Sequence, residues 1–240
     1  MNTNPTQRFR DVLFMLFVSM AVACPTVHAE ETSDTDFGQQ AIRIARGYPD
    51  GGGYIWKGST GVCETLTFAG QTLLEKQPVG TYCCGYTLQV AFKLAQNHGL
   101  FDGKTYKQVK QFQIEWYGST KETAEMQCTL AMQHLGVGHA VKHDDARPGD
   151  FGNFWRTKSG HSVIFLNWVT DDDGHRIGIH YRSSQSKTDG IGDRTEYFKG
   201  HGGEVDPERL YLCRFNEPEP KPDDDADEAD APKERRGANR

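Results

Sequence analysis

"HSVIFLNWVTDDDGHRIGIHYRSSQ", residues 161–185, decides the fold. A near-continuous apolar run precedes "DDDG", and a second run with alternating polarity follows it, which predicts two strands and a tight connection. Asp172, Asp173 and Gly174 suit a three-residue loop in which Gly174 takes the left-handed conformation that closes a bulge. Pairing Asp171 with His175 makes the numbers of opposite residues sum to 346. Val163 then faces Ser183, Phe165 faces Tyr181, and Ile179 shares that face. A slip by one residue would put His180 and Arg182 there instead, against the alternation. The same register sets His161 opposite Gln185, while a slip by two would bring Ser183 there. The residue beside His161 is therefore Gln185, Ser183 or Ser184 at this stage, with Gln185 the preferred choice.

Upstream, "RPGD" at 147–150 is a turn and "FGNFW" at 151–155 a short strand. Before them the period changes. In "TYCCGYTLQVAFKLAQNHG" (81–99), Leu88, Ala91, Phe92 and Ala95 recur at helical spacing with Val90 and Leu94 beside them. Thr81 is the expected cap and Gly99 the expected stop. A second helical pattern covers about 104–116. A third opens with "STKE", where Ser119 and Glu122 match a capping box, and ends at Gly136. A short helical pattern around Ile42, Ile44 and Ala45 is broken by "PDGGG" at 49–53. "YIWKGSTGV" and "CETLTFAGQTLLEK" then read as extended or hairpin segments. Helices first and an antiparallel sheet afterwards predict an α+β domain over 41–216.

Both ends differ from this middle. Arg8 and Arg10, the apolar "VLFMLFVSMAVA" and the small residues of "VHA" predict a signal peptide over 1–29. Its apolar run is short for a membrane span, although a retained anchor, or a lipid on Cys24, is the competing reading. Residues 30–40 form a polar leader. Residues 217–240 hold nine acids and five bases, are rich in Pro and Asp, and predict a disordered acidic tail. Of the chain's net charge of −6, the tail carries −4 and residues 1–29 carry +1, leaving −3 for the middle. That balance excludes the basic stripe of a nucleic-acid binder. The expected mature chain is exported, periplasmic or extracellular, with no membrane span.

Export makes the cysteines informative. Five follow the expected cleavage site: Cys63, Cys83, Cys84, Cys128 and Cys213. An odd count leaves a thiol unpaired unless it bridges to another chain. The alternative is a reduced, buried set behaving as small apolar residues. Cys83 and Cys84 fall in the first turn of the helix that ends near Asn97, where free backbone N–H groups and the dipole favour a thiolate. Gly85 leaves the approach to them open. An imidazole is the usual further activator. His161, at the start of the apolar strand and ahead of the buried-face residues Val163 and Phe165, is better placed than His98, His134, His139, His143, His175 or His201. A Gln185 amide opposite it could fix its tautomer, as the third member of a triad does.

These residues resemble the NlpC-type peptidases, a papain-like superfamily that includes the CHAP amidases. "YCCGYT" looks like their nucleophile motif of Cys, a small residue, Gly and an aromatic residue opening a helix. "RPGDF" followed by "SGHSVIFL" resembles their turn and their histidine strand. The resemblance covers about 81–185 and implies a papain-like fold, with Cys83 as nucleophile, Cys84 in the small-residue slot and His161 as base. It implies a hydrolase acting on an amide, with cell-wall peptide as substrate. The chain departs from the pattern at Tyr82, where Asp is common, and at Cys84, where Ser is common. The third residue is Gln or Ser rather than the frequent His, and 77 residues separate Cys83 from His161. A non-catalytic binding domain on the same fold and a thiol acyltransferase are the alternatives.

Other motifs carry less. Gln77, six residues before Cys83, has the spacing of an oxyanion-hole amide but sits in ordinary loop sequence. "HLGVGHAVKHDD" lacks HExxH-type spacing and reads as a solvated loop. "DDDG" is a turn before it is a calcium loop. Trp56, Trp116, Trp155 and Trp168 are core or cleft walls. No metal or cofactor is expected.

Overall fold

The computed structural model describes residues 36–217. The expected signal peptide and nearly all of the expected tail lie outside those residues. Within them the elements run α1 (Phe37–Arg46), β1 (Gly51–Gly52), β2 (Leu66–Phe68), β3 (Gln71–Leu74), α2 (Cys83–Asn97), α3 (Tyr106–Trp116), α4 (Gln127–Leu135), β4 (Gly138–Val141), β5 (Phe151–Trp155), β6 (Gly160–Thr170), β7 (Arg176–Gln185), β8 (Gly190–Tyr197) and β9 (Leu210–Phe215). This is α+β. Seven strands form one antiparallel sheet in the order β1-β8-β7-β6-β5-β9-β4, and β2 and β3 make a separate hairpin.

The β6–β7 hairpin follows the expected register, with one refinement. Asp171 N–H donates to the His175 carbonyl at 3.0 Å, and Gly174 has φ +84°. Thr170 pairs with Arg176, then Val169 with Gly178, because Ile177 is bulged out on β7. A second irregularity at Leu166 on β6 restores the original sum, so Phe165 meets Tyr181 and Ile164 meets Arg182. The bulges cancel. The ladder therefore delivers His161 and Gln185 to the same end of the sheet.

Alternation along these strands makes two cores. Phe151, Ile164, Ile191, Cys213 and Phe215 face the helices and join Leu88, Phe92, Trp116 and Met132. Phe154, Val163, Phe165, Ile179 and Tyr181 bury on the other face with Phe198 and Val205, from the segment after β8. Helix α2 lies against the first face and is buried around almost its whole circumference, Thr87, Gln89 and Val90 included. Its apolar stripe was legible, but α2 is a central helix rather than a half-buried one.

Several expectations are corrected. The domain starts earlier than 41: Asp36 caps α1 through bonds from the N–H groups of Gly38 and Gln39, and Phe37 is buried. Thr81 does not cap α2. Its hydroxyl pairs with Ser184 Oγ at 2.7 Å, and Tyr82 occupies the N-cap without a side-chain bond. The capping box belongs to Thr105 and Gln108 at α3. The "STKE" helix is absent, because Thr120 and Thr123 close a turn through their hydroxyls and α4 begins only at Gln127. Gly136 does end α4 in the left-handed conformation. "HLGVGHAVKHDD" is not a solvated loop but the end of α4, the edge strand β4 and a helical turn.

All five cysteines within 36–217 are free thiols, and four of them are buried. The odd count thus left no disulfide among the described residues. Cys128 and Cys213 lie side by side between α4 and β9, and burial pushes the Cys213 thiol well up.

Candidate active site

Cys83 is the first residue of α2, and no side chain caps the turn. The free N–H groups there favour a thiolate at Cys83 and an oxyanion next to it. Gly85 holds the turn in place rather than opening the approach. A Cβ on Gly85 would lie 2.3 Å from the Gly61 carbonyl carbon, and one on Gly61 would lie 2.3 Å from the Tyr82 ring. Backbone therefore packs on backbone beneath the nucleophile. Gly85→Ala should cost about 1–3 kcal/mol from overpacking, read as a lower melting temperature than the parent's.

The two adjacent cysteines are electrostatically opposite. Their sulfurs are 3.8 Å apart. The Cys84 thiol donates to the Cys83 sulfur, and the His161 imidazole and the Ser162 N–H add to it, so the Cys83 thiol is held well below its ordinary range in spite of burial. The same pairing and burial push Cys84 well up. Cys84 Sγ lies 3.2 Å from Ser162 Oγ, which donates to Gln127 Oε1 at 3.0 Å. Cys83 is thus the sulfur that gives up its proton more readily, and Cys84 the one that keeps it.

His161 is buried, held between Phe154 and Tyr181 with ring centroids at 5.5 Å from each. Its Nε2 meets Gln185 Oε1 at 3.0 Å. That leaves Nδ1 for the sulfur. Ser183 donates to the Ser162 carbonyl and Ser184 pairs with Thr81, so neither serine competes for the imidazole. Cys83, His161 and Gln185 are thus brought together from α2, β6 and β7.

Cys83 and His161 open on a cleft of about 500 Å³. Tyr54, Trp56, Tyr82, Tyr117 and Trp155 form its walls, and Lys158 stands on its rim. Trp56 is 65% exposed, so it is rim rather than core, whereas Trp116 is fully buried and Trp168 packs on Phe165 and Phe198 away from the cleft. Burial raises the Tyr54 phenol to about 12, which keeps it neutral. Lys158 makes no ion pair among the described residues, and no carboxylate lines the cleft.

Sequence reading missed Ser162 and Gln127. Ser162 was inferable, since it alternates with His161 and so must face α2. Gln127 was not, because it arrives from the start of α4 and carries no motif. Gln127 has φ +29°, an uncommon conformation for a residue with a side chain. Gln77 is not part of the site: its amide oxygen accepts from the Thr60 N–H at 3.2 Å.

The histidines of "HLGVGHAVKHDD" go separate ways, His134 to Glu115, His139 to Asn216 and His143 to the Leu210 carbonyl. Asp171, Asp173 and His175 gather on the hairpin tip, where Asp171 accepts from both neighbouring N–H groups. Three such ligands fall short of a calcium shell, which takes six to eight oxygens. Comparison with protein-family models, with curated proteins and with solved structures finds no match.

Proposed function

We propose that this chain is a cysteine hydrolase, and in particular a papain-like amidase of the kind that the NlpC-type and CHAP resemblance implies. The observation that carries the reading is the Cys83 thiol, at the uncapped start of α2, beside an imidazole whose far nitrogen is held by an amide. The Cys83 thiol passes its proton to His161 Nδ1, and the resulting thiolate attacks the substrate carbonyl, forming a C–S bond while the carbonyl electrons move onto oxygen. N–H groups of the first turn of α2 receive that oxyanion. His161 gives its proton to the departing amine as the C–N bond breaks, leaving a thioester. Water then loses a proton to His161, attacks the thioester and releases a carboxylic acid and the Cys83 sulfur. Cell-wall peptide is the substrate class that the family resemblance supplies.

Iodoacetamide tests the pair directly. It should label Cys83 in the folded protein near pH 6, where an ordinary thiol, of pKa about 8.5, is almost wholly protonated. His161→Ala should slow that labelling at least about tenfold. Labelling that rises only around pH 8.5, with or without His161, overturns the reading.

Charge in the cleft bears on the substrate. With Lys158 unpaired and no acid on the walls, groups bearing a carboxylate should be favoured. The ratio of iodoacetate to iodoacetamide labelling at Cys83 should fall about three- to fivefold in Lys158→Met, the scale of one solvated charge pair. An unchanged ratio removes Lys158 from substrate selection.

A further inference from the structure

We infer that Thr188 is a positioning residue, which fixes the direction of the Gln185 amide and through it the nitrogen of His161 that carries the proton. The inference rests on the Cys83–His161 pair proposed above. Its geometry lies in the turn after β7, where Ser186–Thr188 form one 3-10 turn that ends at Asp189 in the left-handed conformation.

Thr188 Oγ1 lies 2.6 Å from the Gly190 carbonyl and 3.2 Å from the Gln185 carbonyl. A carbonyl only accepts, so the single hydroxyl proton is spent on these two oxygens. Toward the Gln185 side chain, 2.8 Å away, Thr188 can then only accept. The group facing it must be the amide NH2, whose second N–H points at the Gly192 carbonyl at 3.5 Å. Oε1 is consequently turned to His161 Nε2, and it too only accepts. The proton of neutral His161 therefore resides on Nε2, and Nδ1 offers a lone pair to the Cys83 thiol. Reversing the amide would reverse this. An NH2 facing Nε2 would move the proton to Nδ1, and the base would point a donor at the thiol it must deprotonate.

The turn is held tightly. A Cβ on Gly190 would fall 2.1 Å from the Gly51 carbonyl, and one on Gly192 2.9 Å from the Thr188 Cβ. The hydroxyl is thus fixed by backbone on both sides, from the β1–β8 and β7–β8 pairings.

Thr188→Val keeps the shape and removes the acceptor. It should slow iodoacetamide labelling of Cys83 at pH 6 about tenfold in a protein that still folds, and Thr188→Ser should restore the rate. Nitrogen-15 NMR of His161 is read in the Cys83→Ser background, at a pH where the ring is neutral. It should give Nε2–H alone in the parent and the serine variant, and a mixture of tautomers in the valine variant. Thr188→Ala provides the same readouts if the valine variant does not fold. A pure Nε2–H form in both Thr188→Val and Thr188→Ala overturns the inference. Failure of the parent protein to label at low pH, with the NMR result intact, would instead count against the hydrolase reading alone.

Discussion

Cys83→Ser should abolish low-pH alkylation and the proposed amidase activity, whereas Cys84→Ser should retain both. This expected result follows from what each sulfur touches. Once its proton has passed to His161, Cys83 receives the hydrogen bonds of Cys84, His161 and the Ser162 N–H, and all of them favour its anion. A serine there has no anion to stabilise near neutral pH, so the loss should be at least about a thousandfold in turnover, the scale of removing a nucleophile. Cys84 acts as a donor, and a serine hydroxyl can donate to the Cys83 sulfur and reach Ser162 Oγ in the same way. Cys84→Ser should cost no more than about 1–3 kcal/mol for a buried hydroxyl. Cys84→Ala separates donor from filler. Without the donor the Cys83 thiol rises, so the labelling profile should move to higher pH while the fold persists. Peptide mapping of the alkylated protein decides the matter: label on Cys84, or an active Cys83→Ser, reverses the assignment.

The site was legible where it depended on local rules. Turn chemistry at Asp171–Gly174 and the two-residue period of β6 and β7 gave a register, and the register put Gln185 by His161. Nothing in the pattern announced the bulges at Leu166 and Ile177, since each is an apolar residue that a strand could as well have paired. The register survived because one extra residue on each strand leaves the far end unchanged. Had only one strand been bulged, Gln185 would have turned to the other face.

What escaped the sequence depended on tertiary partners. Ser119 and Glu122 match a capping box, but a box works only if the backbone beyond it is helical, and the positive φ of Gln127 interrupts it. Thr81 looks like a cap until β7 arrives to take its hydroxyl. β4 is an edge strand of four residues with His139 and Ala140 exposed, too short and too mixed for a periodic signal. Gln127 reaches the Cys84–Ser162 pair from 35 residues before Ser162, and no spacing rule links segments so placed.

Arg182→Met should be the most destabilising single change on the helix side of β7. Arg182 is 2% exposed, and its guanidinium ties several elements together. It donates to Asp193 Oδ1 at 2.8 Å on β8, to Asp50 Oδ1 at 2.6 Å and to the Tyr48 carbonyl at 3.1 Å, all near the sheet edge. It also reaches the Ala45 carbonyl at the end of α1 and the Tyr86 hydroxyl on α2. Methionine fills most of the volume but leaves Asp193 with only the more exposed Arg46. Removing one partner of such a network costs about 3–5 kcal/mol, which for a domain of this size lowers the melting temperature by roughly 10 °C. The sign with pH is set by Asp193. Burial raises its carboxyl, and the hydrogen bonds and charges of Arg182 and Arg46 overturn that and hold it below the usual carboxylate range. A carboxyl lowered on folding stabilises the fold above its unfolded pKa, about 3.9, and that contribution vanishes as pH falls through the folded value. The gap between parent and Arg182→Met should therefore be largest near pH 7 and narrow below about pH 4. Thermal melts at both pH values measure it, and a loss under about 1 kcal/mol at pH 7 would mean that the network contributes little. Arg182 faces away from His161 along the alternation of β7, so the variant, where still folded, should keep the low-pH reactivity of Cys83.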